Sequence, residues 1–246
     1  MKYLDLSFRD PARNLACDEA LLDLCEADGE LELLRVWEPR QPFVVVGYGN
    51  KVATEVNVAA CEARGVPILR RTSGGGTVLQ APGCLNYSVV LRIGEGGPHA
   101  SVSGTNRHVL EQNKLAIEEA ALRHGGVDPL QLQVLGTSDL ALGRLKFSGN
   151  AQRRRRTHLL FHGTFLLQCD LALIELLLPL PSHQPDYRAG RSHAEFLTNL
   201  ALPADAVKRA LRQVWRADEM FDETPLAQIE SLAADRYASP EWNRRF

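Results

Sequence analysis

At 246 residues, with 45% hydrophobic and 24% charged residues, the chain has the length and balance of an ordinary soluble globular protein with a substantial core. Its net charge of −2 excludes a bulk attraction to nucleic acid or to an anionic membrane, so any basic function must come from a local patch. Cys17, Cys25, Cys61, Cys84 and Cys169 form no C-x-x-C pair, which argues against a disulfide framework or a structural zinc site. The N-terminus turns polar too soon for a signal peptide and no apolar run reaches membrane-spanning length, so a cytoplasmic protein is expected.

In chain order, residues 12–27 carry Leu15, Leu22 and Cys25 at helical spacing and predict an amphipathic helix. LELLRVW (31–37) and FVVVGYG (43–49) read as strands separated by the turn EPRQP. A short helix is expected around 56–64, ending at Gly65, followed by a strand over 66–71. NYSVVLRI (86–93) alternates as a strand does, and after the loop GEGGP (94–98) a long helix is predicted over about 101–124. DLAL (139–142) and LKFSGNAQRR (145–154), joined by a Gly-Arg turn, predict a hairpin, with HLLFHGTFLLQ (158–168) as a third strand behind it. The Pro-rich stretch 179–190 is expected to be an ordered loop, and the residues after about 202 to be helical. Strands with helices interspersed irregularly imply an α+β (mixed α/β) fold rather than a regular doubly wound sheet.

Three stretches carry chemistry. In RRTSGGGTVLQ (70–80), three consecutive glycines follow two arginines and a serine. Glycines let a ligand lie against bare main chain, consecutive N–H groups can cradle an anion, and a nearby arginine can grip phosphate or carboxylate. Arg71, Ser73, Gly74, Gly75, Gly76 and Thr77 therefore read as a ligand loop, with a glycine-rich bulge at a strand end as the plain alternative. The spacing is neither that of a P-loop nor that of a dinucleotide site. In GRLKFSGNAQ (143–152), Lys146 faces the side opposite Phe147 by the period of two. It is either a solvated lysine or a lysine that must meet an anion, since burying it alone is costly. In FHGTFLL (161–167), His162, Gly163 and Thr164 interrupt an apolar strand, and a satisfied core histidine is the simplest reading.

Taken together the stretches resemble the lipoate–protein ligase family, within the superfamily of biotin and lipoate ligases. RRTSGGGTV (70–78), GCLN (83–86), SDL (138–140), KFSGNA (146–151) and HGTFLL (162–167) follow the family's blocks in family order, and NLACDEAL (14–21) and VVVGYGN (44–50) resemble its first helix and first core strand. The resemblance implies a catalytic domain over 1–202, a mixed sheet flanked by helices, with residues 203–246 as a short helical extension. It implies ATP-dependent formation of lipoyl-AMP from lipoate, then transfer of the lipoyl group to a lysine of a lipoyl-domain protein. The acceptors it implies are 2-oxoacid dehydrogenase E2 subunits or the glycine cleavage H protein; no nucleic acid or membrane partner is implied. Lys146 would be the catalytic residue, neutralising charge on the carboxyl group and α-phosphate. Arg71, Ser73, Gly74, Gly75, Gly76, Thr77, Val78 and Leu79 would surround ATP and lipoyl-AMP, with Asn86, Gly149, Ala151, His162, Gly163 and Thr164 completing the pocket. A magnesium ion on the phosphates is implied, with Asp139 as its candidate protein ligand.

The sequence departs from the family pattern at several points. Gln80-Ala81-Pro82 replaces the family's H-D, so QAPGCLNYS leans toward the octanoyltransferase pattern H-G-P-G-Q. Octanoyltransferases use a cysteine thioester, and an octanoyl or lipoyl transferase acting from an acyl-carrier or lipoyl-protein donor is the second expectation. LLPLPSHQ (177–184) lacks the cysteine one such branch carries there, LGTSDLALG (135–143) lacks that of another, and Cys84 and Cys169 match neither. Many ligases also carry a C-terminal accessory domain of roughly a hundred residues. Here a separate polypeptide would supply it, or adenylation would proceed without it, and a non-catalytic lipoyl-binding partner subunit is the third expectation. Ser138 stands where the family has Asn, and Tyr48 where it often has Arg. Arg153 to Arg156 read as a solvated turn, with docking of an acidic lipoyl domain as the alternative.

Overall fold

The computed structural model describes residues 1–246. In chain order the elements are β1 (Lys2–Asp5), α1 (Pro11–Asp28), β2 (Leu33–Trp37), β3 (Phe43–Val46), α2 (Val52–Glu55), α3 (Val58–Ala63), β4 (Ile68–Arg70), β5 (Val78–Gln80), β6 (Cys84–Arg92) and α4 (Val102–His124). They continue with β7 (Leu132–Leu135), β8 (Asp139–Leu142), β9 (Leu145–Arg154), β10 (His158–Leu166), α5 (Leu171–Leu177), α6 (His193–Phe196), α7 (Ala204–Val214), β11 (Glu219–Met220), α8 (Leu226–Leu232) and α9 (Pro240–Asn243). The helix boundaries follow local chemistry. Asp10 caps α1 by accepting from the Ala12 N–H, Pro11 occupies the first turn, and Gly29 ends the helix in the left-handed region at φ 87°.

An eight-stranded sheet runs in the order β11-β1-β2-β6-β10-β9-β8-β7, and a three-stranded sheet in the order β4-β3-β5. Within the large sheet β1 lies parallel to β2 and β11, and the other pairs are antiparallel. Period-two alternation decides what each face carries. Leu34, Val36, Tyr87, Val89, Leu159 and Phe161 face a core shared with α4 and α7. Leu33, Trp37, Val90 and Leu160 face the core built on α1 and α8. The same alternation puts Asn86, His162 and Thr164 on the α1 face, toward the small sheet.

The segment 203–246, expected as a helical extension, is woven into both cores and also supplies strand β11. Val207 and Leu211 of α7 join the α4 core, while Ile229 of α8 and Tyr237, in the π-turn that follows it, join the α1 core. The chain's last turn clamps β4. The Arg70 N–H donates to Asn243 Oδ1 at 2.8 Å, and its buried guanidinium donates to the carbonyls of Gly47, Tyr48, Asn50, Trp242 and Asn243. Strand β3 consequently stops at Val46 rather than running to residue 49, because the carbonyls beyond it turn toward Arg70. No helix is long and apolar enough to cross a membrane.

Candidate active site

The two sheets and the loop between α5 and α6 enclose a cavity of about 430 Å³. Of the residues singled out in the sequence, Arg71, Gly75, Gly76, Thr77, Val78, Leu79, Asn86, Asp139, Lys146, Gly149, Ala151, His162, Gly163 and Thr164 line it. Ser73 and Gly74 do not. Ser73 is buried behind the wall, and Gly74 is exposed outside it.

Lys146 reaches the cavity through an irregularity in β9. Strict alternation would set Lys146 and Gly149 on opposite faces. Between Leu140 and Ala141 of β8 the register shifts, so that Ser148 and Lys146 face them and Phe147 is the extra residue of a bulge. Phe147 goes into the α4 core, and Lys146 and Gly149 then share the cavity side. A β-carbon on Gly149 would sit 2.7 Å from Lys146 Nζ, so glycine leaves the room the lysine occupies. Nζ pairs with Asp139 Oδ1 at 2.8 Å. Tyr187, from the α5–α6 loop, donates to Asp139 Oδ2 at 2.9 Å. Both carboxylate oxygens are engaged, and the chain holds no cluster of three or more His, Cys, Asp or Glu that fits a metal. Asp139 is the counter-ion of Lys146 in this arrangement.

The glycine loop is fixed from within. Arg71 donates from Nη2 to the carbonyls of Gly74 (2.6 Å) and Gly76 (2.7 Å), and from Nε to Ser73 Oγ at 3.0 Å. Burial pushes its pKa down to about 10, and the loop carbonyls provide the partners that water would otherwise supply. The loop closes against the turn after β3: a β-carbon on Gly47 would lie 2.0 Å from the Gly75 carbonyl oxygen, and the Tyr48 N–H donates to Ser73 O. Gly75, at φ 83°, adopts a backbone conformation that side-chain-bearing residues avoid.

Behind the loop runs a buried relay that the sequence did not reveal. Arg35 Nη1 donates to Asp18 Oδ1 at 2.5 Å, His162 Nδ1 lies 3.1 Å from Asp18 Oδ2, and His162 Nε2 lies 2.6 Å from Ser73 Oγ. Burial alone would raise the Asp18 pKa, but the Arg35 guanidinium and the His162 hydrogen bond overcome it and hold the carboxyl below its ordinary value. The Asp18 carboxylate can only accept, which assigns an imidazole proton to Nδ1. His162 is thus a bridge between α1 and the glycine loop. Gln80, where the family pattern has histidine, closes a ring: Gln80 Nε2 donates to Thr164 Oγ1, Thr164 to Asn86 Oδ1, and Asn86 Nδ2 back to Gln80 Oε1, all within 2.8 Å.

All five cysteines are buried and none lines the cavity. The Cys84 thiol is pushed well above its ordinary pKa by the adjoining Cys169 sulfur and by burial. The four arginines after the site are not a free charge run. Arg153 donates to Thr72 O, Arg154 to His99 O and Thr105 Oγ1, and Arg155 pairs with Asp23; only Arg156 projects without a side-chain partner.

A doubly covered mixed sheet presents a glycine loop and a lysine to one cavity, and comparison with known proteins places this arrangement. The family described as the lipoyl protein ligase A/B catalytic domain matches residues 10–214, and the chain belongs to it. A putative lipoate-protein ligase A of Aeropyrum pernix is 30% identical over 230 residues, covering 92% of this chain and 79% of that protein. An octanoyltransferase LipM of Brevibacillus brevis is 26% identical over 277 residues, covering 99% of this chain and 98% of its own length. Among solved structures, a bipartite lipoate protein ligase from Thermoplasma acidophilum superposes with a TM-score of 0.79 at 23% identity, covering 99% and 95% of the two chains. A lipoate-protein ligase A bound with ATP superposes at 0.77 and 22% identity, covering 99% and 98%. The expected fold, a large mixed sheet flanked by helices, is that of these structures.

Proposed function

We propose that the protein is an ATP-dependent lipoate–protein ligase, which forms lipoyl-AMP and passes the lipoyl group to a lysine of a lipoyl domain. The observation that carries this reading is what faces the cavity: a lysine with its counter-ion and a braced glycine loop, but no thiol. A thioester route needs a thiolate beside the acyl carbon. Adenylation needs cations and donors arranged around a carboxylate and a phosphate. The ATP-bound relative of the same fold is consistent with that assignment.

In the first step a carboxylate oxygen of lipoate attacks the α-phosphorus, the bond to the bridging oxygen breaks, and pyrophosphate leaves. Lys146 exchanges part of its contact with Asp139 for the carboxylate and α-phosphate, offsetting the charge that builds there. Arg71 acts through the loop, holding Gly75 to Thr77 in place by their neighbours' carbonyls. Magnesium arrives as the nucleotide's own counter-ion. In the second step the neutral amine of the acceptor lysine attacks the acyl carbon, the bond from that carbon to the bridging oxygen breaks, AMP departs with that oxygen, and the surplus amine proton passes to solvent. The acceptors are E2 lipoyl domains or the glycine cleavage H protein, and the two-part ligase that shares this fold supports an accessory polypeptide as a partner.

The test is pyrophosphate release with lipoate and Mg-ATP, for the protein and for Lys146→Ala. Lipoate-dependent release that falls on the order of a hundredfold or more in the variant is expected; no release from the wild type, alone or with an accessory polypeptide supplied, overturns the reading. The second reading, octanoyl transfer from a carrier-bound donor, is favoured by the full-length match to an octanoyltransferase. It predicts transfer from octanoyl–acyl carrier protein without ATP.

A further inference from the structure

Arg188 sits in a single helical turn, Asp186–Arg188, within the α5–α6 loop. It lines the cavity and is 3% exposed. Its Nε donates to the Arg191 carbonyl at 2.9 Å, and its guanidinium stacks 4.7 Å from the Phe196 ring centroid. The fork itself is open. Nη2 is buried with no hydrogen-bond partner, and Arg188 enters none of the chain's ion pairs. The loop's oxygens go instead to Arg191, which donates to the carbonyls of Arg188, Glu195, Arg144 and Tyr187.

A buried guanidinium stays charged, and leaving it without an anion is costly. Burial lowers the Arg188 pKa, opposed by the Glu175 carboxylate, which is exposed and makes no ion pair with it. The turn is also held in register with the site. Tyr187, the preceding residue, donates to the same Asp139 carboxylate that pairs with Lys146, and the Thr198 N–H beyond α6 donates to Lys146 O. A planar fork with parallel free donors matches a phosphate better than a single-point acceptor does.

We propose that Arg188 binds a phosphate of the acyl donor in this cavity, beside the Lys146–Asp139 pair. It rests on the reading that the cavity holds an activated acyl donor, and phosphate is common to both candidates: the phosphates of a nucleotide and the phosphate of a phosphopantetheine thioester.

Calorimetric titration of the full chain with Mg-ATP, inorganic pyrophosphate and 4′-phosphopantetheine tests it, for wild type, Arg188→Met and Arg188→Lys, alongside the melting temperature without ligand. Because the charge is unpaired, Arg188→Met is expected to melt at the wild-type temperature or above it. Its affinity for the phosphate probe that the wild type binds should fall on the order of ten- to a hundredfold. Arg188→Lys should recover part of that loss, since the charge returns without the fork. A loss confined to Mg-ATP and pyrophosphate assigns the nucleotide; a loss confined to phosphopantetheine assigns the carrier arm. The latter, with no pyrophosphate release in the assay above, would retire the ligase reading while Arg188 kept its role. Unchanged affinity for every probe overturns the proposal, as does a wild type that binds none. A lower melting temperature in Arg188→Met with affinities intact would make Arg188 a brace stacked on Phe196.

Discussion

Arg71 and Arg188 are both buried and both line the cavity, yet Arg71 directs its donors at Ser73, Gly74 and Gly76, and Arg188 directs one at Arg191. The glycine loop around Arg71 is a finished scaffold: its cation is satisfied, its glycines close on the next turn, and a relay ties it to α1. The α5–α6 loop is tethered through Ser182, Tyr187 and Arg191, and leaves the fork of Arg188 unused. A cation satisfied by its own protein shapes the wall; one left unsatisfied reads what comes in.

Substitutions that unfasten the scaffold should sharpen this contrast. The largest effect is expected from Asp18→Asn, which leaves the buried Arg35 without its counter-charge and weakens the His162 bridge. Breaking a buried pair from one side costs about 3–5 kcal/mol, to be read from urea unfolding. The same variant alters the pH response. The folded Asp18 pKa lies below its ordinary 3.8, so the wild-type contribution is complete above that value and is lost as pH falls through the folded pKa. Acid unfolding of Asp18→Asn should lack that component, and identical acid profiles would show that the pair contributes nothing. Next comes Gly47→Ala, whose β-carbon meets the Gly75 backbone: about 1–3 kcal/mol of stability, with activity falling more than stability because the glycine loop must move. On the other side Tyr187→Phe removes one hydrogen bond to Asp139, about 1 kcal/mol. It should change turnover through Lys146 while leaving the glycine loop's hydrogen-exchange protection intact. Arg156→Ala should stay within about 0.5 kcal/mol; a large loss of acceptor affinity there would make the arginine run a docking surface.

Local chemistry was legible in the sequence, and pairings across the chain were not. The glycines, Lys146 and His162 declared themselves because each breaks the character of its own strand. Most predicted elements appear within a few residues of their expected limits: the helix over 101–124 is found at 102–124, and the hairpin at 139–142 and 145–154. The short strands β1, β5, β7 and β11 escaped notice. Asp18 meets His162 across 144 residues and Tyr187 meets Asp139 across 48, separations no periodicity reports. The bulge at Phe147 was equally hidden, because alternation is blind to one inserted residue. Arg188 looked like one more polar residue in a Pro-rich loop, and only its missing partner distinguishes it.

The clamp of Trp242 and Asn243 on Arg70 bears on how the molecule is made and handled. A chain still emerging from the ribosome, or one clipped by a protease after Ala238, would carry every residue named in the active site and lack the support beneath β4. The turn at 47–50 would lose its anchor, and with it the surface on which Gly75 rests. Completion of the site therefore waits for residues 172 and 173 positions beyond the arginine they hold, the part of the fold that props the glycine loop from far along the chain.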